Sequence, residues 1–107
     1  MKTPLVLSAL LALVTASAAD IKVIPNEAVD VALDGKVVAR FMMAHDVSTP
    51  ARRLETYKPF LHVFDASGAL RLTKGPGFSF PHHRGIMLGF MKITVDGKTY
   101  DRWHMVK

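Results

Sequence analysis

The chain contains no cysteine among its 107 residues. That excludes a disulfide framework, a thiolate metal site, a cysteine nucleophile and a lipid anchor on cysteine. A metal, if held, would need imidazole and oxygen ligands. Acidic residues are scarce, 9 against 14 Lys and Arg, and no paired carboxylates, glycine-rich phosphate loop or serine elbow occur. Past the N-terminal leader, no apolar run approaches the roughly 20 residues of a membrane helix, and no segment shows helical periodicity.

The leader consists of Lys2, the apolar run Leu5 to Val14 and the small residues Ala16-Ser17-Ala18-Ala19. This is the layout of a secretory signal peptide, so residues 1–19 are expected to be removed on export to the periplasm or beyond. Residues 20–107 are expected to form the N-terminal part of a β-sandwich domain. Beyond Lys2, 13 Lys and Arg face the 9 acids in a spread rather than a tract, which describes a solvated surface. Only Arg52-Arg53 and Arg84 come near a basic cluster, so no nucleic-acid partner is expected.

A mature chain of roughly 88 residues buries only about 60–65 % of its unfolded surface. Its core is marginal, and the stretch Tyr100 to Lys107 stops within an aromatic and apolar pattern. The remainder of a longer domain, or a homo-oligomer partner, is expected to complete it.

Two Asp-Gly dipeptides flanked by β-branched residues predict tight hairpins. The first joins Val29–Leu33 to Lys36–Phe41 through Asp34-Gly35, in an unclear register. The second joins Met91–Val95 to Lys98–Trp103 through Asp96-Gly97 and sets Tyr100 opposite Ile93. Tyr57–Phe64 reads as a further strand with Phe60, His62 and Phe64 on one face, followed by a turn and a short strand Ala69–Thr73. Prolines and glycines leave Lys74–Phe80 as a loop. Short strands at about ten-residue spacing predict an all-β, antiparallel sandwich or barrel.

The densest chemistry lies in Pro81-His82-His83-Arg84-Gly85. One histidine with a pKa near working pH would serve as acid or base, and Arg84 would grip a carboxylate, phosphate or sugar hydroxyls through its fork of donors. As a metal site the cluster is weaker. Consecutive side chains on extended backbone point to opposite faces, so further ligands would have to come from His45, His62, Asp101 or His104. The spacing matches no zinc motif, and no metal ligand is assigned. In Tyr57-Lys58-Pro59-Phe60 the phenol could donate and Lys58 could hold an anionic group. Asp101-Arg102-Trp103-His104 offers an aromatic face beside polar groups, suited to a sugar ring. Each group also has a structural reading: histidines bonded to loop carbonyls, Arg84 paired with an acid, Trp103 and His62 in the core.

Taken in order, Tyr57-Lys58-Pro59-Phe60, Pro81-His82-His83-Arg84-Gly85 with Gly89, and Asp96-Gly97-Lys98 leading to Asp101-Arg102-Trp103-His104 resemble the bacterial PmoA-like family. The resemblance spans nearly all the mature chain. It implies an exported, β-rich protein of greater length, of which this chain is an N-terminal fragment. The family label names methane oxygenase, whose membrane subunits consist of spanning helices that this chain lacks after its leader. The resemblance therefore implies a galactose-mutarotase-like super-sandwich acting on carbohydrate. His82 and His83 would be catalytic, and Arg84, Tyr57, Lys58, Trp103 and His104 would bind substrate. No acidic partner for the histidines is identifiable, and the cofactor is unknown. Two rival expectations are a non-catalytic glycan-binding module and a metal-dependent oxidoreductase.

Overall fold

The computed structural model describes residues 16–105. Most of the expected signal peptide, together with Val106 and Lys107, lies outside them. The fold is all-β in class and antiparallel throughout, with one short helix. Strands β1 (Ala19–Ile24), β2 (Ala28–Leu33), β3 (Lys36–Met42) and β4 (Phe60–Val63) form a sheet in sequential order, and β5 (Ile93–Val95) pairs with β6 (Lys98–Tyr100) in a second. Helix α1 (Pro50–Thr56) lies between β3 and β4.

Both expected hairpins form, each with its Asp and Gly at positive φ: 49° and 77° at Asp34-Gly35, 48° and 73° at Asp96-Gly97. These are the values a two-residue turn needs to match strand twist. Tyr100 pairs with Ile93. The unclear register of the first hairpin has a physical source, a β-bulge at Val31/Ala32 that places one extra residue in β3. Lys74–Phe80 contains neither strand nor helix.

Three expectations are corrected. Strand β1 was not foreseen; its solvent-facing alternation is weak because every residue but Ile24 is exposed. The expected strand Ala69–Thr73 reduces to a single bridge between Phe64 and Arg71. Helix α1 also forms despite the absence of helical periodicity. Seven residues make only two turns, too few for a period to show, and the signals are local. Thr49 caps it, its hydroxyl accepting from the Arg52 N–H at 3.1 Å, and Pro50 opens the first turn.

Strand alternation gives the four-stranded sheet two unlike faces. Ala28, Asp30, Arg40, Met42, Phe60 and His62 pair across one face, which also borders residues of α1. Ile21, Val23, Val29, Val31, Ala39, Phe41, Leu61 and Val63 share the other, whose charge is confined to Lys36 opposite Leu33 at the hairpin end. Among the described elements only neighbouring strands pack together, so this apolar face stands open, with Ile21 69 % and Val23 61 % exposed. Among the described residues only Ala28 and Phe60 are buried apolar residues, against buried Asp30, Thr56, Lys58, His62 and Arg84. The interior is held by polar partners as much as by apolar contact.

One such pair is Asp30 with Arg40, directly cross-strand, with Nε–Oδ1 at 2.5 Å and Nη2–Oδ2 at 2.8 Å. The hydrogen bonds from Arg40 lower the Asp30 pKa below its ordinary 3.8, against the opposing effect of burial. A depressed carboxyl pKa stabilises the fold above the unfolded value, and that stability fades as pH falls through the folded value. Urea midpoints measured from pH 6 to pH 2 are therefore expected to fall less steeply in Asp30→Asn than in the parent. Parallel profiles would show that the pair contributes nothing to acid stability.

Candidate functional site

The loop carrying the two histidines is braced at both ends. Gly85 N–H donates to the Lys74 carbonyl at 2.7 Å, and Ile86 exchanges both main-chain bonds with Leu61 of β4 at 2.8 and 2.9 Å. Gly85 has φ +43°, and a Cβ there would run into the Leu61 carbonyl oxygen and the Phe60 ring. Glycine is required for the loop to lie this close to β4. The Lys74 ammonium donates to the Phe80 and His83 carbonyls at 2.8 and 3.0 Å.

Arg84 locks the same loop to the helix. Its Nη1 and Nη2 donate to the carbonyls of Glu55 (2.5 Å) and Leu54 (2.9 Å), and Nε and Nη2 to that of Pro81 (3.0 and 2.6 Å). The Leu54 and Glu55 carbonyls belong to the last turn of α1, where the helix leaves acceptors unpaired and partially negative. The guanidinium also lies 4.6 Å from the centre of the Tyr57 ring and 5.6 Å from that of Phe60. At 1 % exposure it is almost wholly covered. The expected role of Arg84 as a substrate anchor is thus corrected: its donors are spent on main-chain oxygens, and it positions the loop instead.

Asp101 organises the third segment. Its Oδ1 accepts from the Trp103 and His104 N–H groups at 2.7 and 3.0 Å, and Oδ2 meets His104 Nδ1 at 2.9 Å. The hydrogen bonds from His104 and Trp103 hold the Asp101 carboxyl down at about 2. An ionised carboxylate accepts, so Nδ1 of His104 carries a proton, which leaves Nε2 as the acceptor nitrogen of the neutral ring. Asp101 is an acidic partner for His104, whereas the side chains of His82 and His83 meet only aromatic rings and each other. The Asp-x-x-His spacing within one turn was the available signal for the Asp101–His104 pair.

The three segments meet at Trp103. Its carbonyl accepts from Lys58 Nζ at 2.7 Å and from the Tyr57 hydroxyl at 3.4 Å, and its ring lies 4.5 Å from Lys58 Nζ. The His82 and His83 ring centres stand 6.2 and 5.9 Å from that of Trp103, 4.3 Å from each other, and His82 is 5.2 Å from His104. All seven residues singled out from the sequence therefore join one contact network. Burial and the neighbouring charges of His83, His104, Lys58 and Lys74 lower the His82 pKa. Burial, and then Arg84, lower that of Lys58; burial raises that of Tyr57.

The network does not form a single cavity. Tyr57, Lys58, Asp101 and His104 line an opening of about 400 Å³, together with His45, Arg53 and Arg102. His83 and Arg84 border a separate one of about 270 Å³ beside Lys74 and Gly85. His82 and Trp103 line neither; His82 reaches the first through its ring contact with His104. His62 is the buried core histidine its face implied, with Nδ1 2.9 Å from the Thr73 hydroxyl. Among the described residues no three His, Asp or Glu side chains are arranged to hold a metal ion.

A model of a family of unknown function, DUF6807, matches residues 28–106. No curated protein matches the chain, and no solved structure does.

The clamp reading of Arg84 has a direct check. Lysine keeps the charge but cannot reach three carbonyls at once. Arg84→Lys is expected to cost roughly 1.5–3 kcal/mol in urea unfolding followed by Trp103 fluorescence. An unchanged midpoint would remove the clamp from the account.

Proposed function

Since the chain belongs to the DUF6807 family, whose description assigns no chemistry, we propose from the site itself that this is an exported protein that binds and chemically alters a carbohydrate. The observation that carries the reading is the Asp101–His104 pair at the mouth of the 400 Å³ opening, backed by His82 and Trp103. A neutral imidazole oriented by a carboxylate is a general base at Nε2 and, once protonated, a general acid. His82, with its lowered pKa, stays neutral near pH 7 and serves as the second proton acceptor. Tyr57, which lines the opening, supplies aromatic surface for the C–H face of a sugar ring, and its hydroxyls meet the polar rim. The resemblance to the PmoA-like family agrees with a sugar-directed site of galactose-mutarotase type, with His104 and Asp101 added to the catalytic assignment and Arg84 moved to a positioning role.

The residues needed to cover the open apolar face of the first sheet belong, in this reading, to a second β-layer supplied by a homo-oligomer partner or further chain. Sedimentation equilibrium of the 20–107 chain is expected to show self-association that Val23→Lys weakens. A monomer at all concentrations would reject the homo-oligomer arm.

A second reading is favoured by one observation. Tyr57 and Lys58 both bond the Trp103 carbonyl, which makes a rigid platform fit for a non-catalytic glycan-binding module. The two separate on turnover. With plant and algal oligosaccharides, His104→Ala and His82→Ala are each expected to lower turnover by 10²–10⁴-fold while changing sugar affinity little. Turnover that survives both substitutions would leave only the binding module, and a chain that binds no saccharide would sink both readings.

A further inference from the structure

A further opening of about 170 Å³ lies on the face of the first sheet that carries His62, bordered by residues of α1 and by Pro76. Met42, Ala44 and Phe60 give it an apolar lining. Most of its polar groups are already engaged: Arg52 holds both carboxylates, Glu55 at 2.9 Å and Glu27 at 3.4 Å, and Lys58 donates to the Trp103 carbonyl. The Thr56 hydroxyl is bonded to the main chain of Asp46 and Arg52. Two groups are left over, His62 and Arg71. His62 is only 5 % exposed, and its Nδ1 lies 2.9 Å from the Thr73 hydroxyl, which already accepts from the Val63 N–H at 3.1 Å. Nδ1 is the acceptor that remains for the hydroxyl proton among the described residues, so the neutral ring carries its own proton at Nε2. Burial, and then the charges of Arg71 and Arg40, lower the His62 pKa and keep the ring neutral near pH 7. Nε2 has no partner among the described residues, yet no buried side-chain nitrogen there lacks one, so this atom opens on the cavity. The Arg71 guanidinium lies against the chain at Gly75, where a Cβ would stand 3.5 Å from Nη1, and it makes no hydrogen bond or ion pair among the described residues.

Both leftover groups donate, and neither accepts. We propose that this cavity binds a small carboxylate with a short apolar body, its oxygens held by Arg71 and the Nε2–H of His62 and its chain lying toward Met42 and Phe60. The paired N–H donors of a guanidinium match the two oxygens of a carboxylate. Glu27 precedes β2, whereas Arg71 bridges Phe64 beyond the end of β4, so the strand order sets that carboxylate apart from the donor end. The volume falls below the roughly 300 Å³ at which pockets for drug-sized ligands begin, which restricts the ligand to a few heavy atoms. This site is independent of the saccharide reading, because the two openings share only Lys58.

Butyrate and its neutral counterpart butyramide test the assignment, since they share an apolar body and differ in charge. The full chain is titrated with each while the His62 ring signals are followed by NMR. Butyrate is expected to shift those signals saturably and to bind about 10-fold or more tighter than butyramide. Arg71→Gln, at an exposed position that the fold tolerates, is expected to remove about 10-fold of the butyrate affinity while leaving butyramide unchanged. Equal affinity for acid and amide overturns the carboxylate assignment. A response at His82, His83 or His104 without one at His62 overturns the location, and no saturable shift with either probe overturns the site itself. Lys36→Gln, exposed and outside the cavity lining, is the control. A loss there equal to that of Arg71→Gln overturns the proposal in favour of general surface charge.

Discussion

Everything near the site hangs on one buried guanidinium. Arg84 joins the Pro81–Gly85 loop to the last turn of α1 by donating to three main-chain carbonyls, with the rings of Tyr57 and Phe60 beside its plane. A buried cation without a carboxylate is costly unless dipoles replace the lost water. Here the unpaired acceptors at the helix end do so, and each side satisfies the other. Helix α1 is too short to persist by propensity, and the loop has no strand hydrogen bonds of its own between Pro81 and Arg84. The arginine lets two weak elements stand together, and that places His82 and His83 against Trp103.

The same economy of apolar burial runs through the rest of the molecule. Two apolar residues are buried among the described ones, while five polar or charged residues are, and each of those five has a named partner: Arg40 for Asp30, Asp46 for Thr56, Trp103 for Lys58, Thr73 for His62, and the helix carbonyls for Arg84. No buried side-chain nitrogen or oxygen among the described residues lacks a hydrogen bond. The sheet meanwhile presents a largely apolar face on which no other described strand or helix packs. Polar satisfaction therefore defines one side of the sheet, and the hydrophobic effect has its unspent surface on the other. A marginal core in a chain of this size is the expected result.

Function follows from how these constraints aim side chains. Asp101 closes a tight turn on itself and so fixes the tautomer of His104. Trp103, between Lys58 and the histidines, ties segments more than 40 residues apart through its carbonyl and its ring. Tyr57, Lys58, Asp101 and His104 line the larger opening, with the Asp101 carboxylate engaged in its own turn.

Local chemistry made much of this readable in the residues themselves. Asp-Gly turns demand positive φ, so both hairpins and the Ile93–Tyr100 pairing followed from sequence, as did the antiparallel class and the burial of His62 with Phe60. The seven residues of the candidate site were also legible, because clustered imidazoles, a guanidinium and aromatics beside proline and glycine are chemically conspicuous. What stayed hidden needed distances between remote segments. Helix α1 is shorter than any period that could announce it, and β1 gains its identity only by pairing with β2. The fate of Arg84 turned on the helix carbonyls 29 and 30 residues upstream, and the partnership of Asp101 with His104 depended on a turn closing. Sequence by itself determined which groups were available and where the chain must bend, since those are properties of single residues and their neighbours. Tertiary structure decided which donors remained free for a ligand, because a hydrogen bond is spent or unspent only when its partner arrives from elsewhere in the chain.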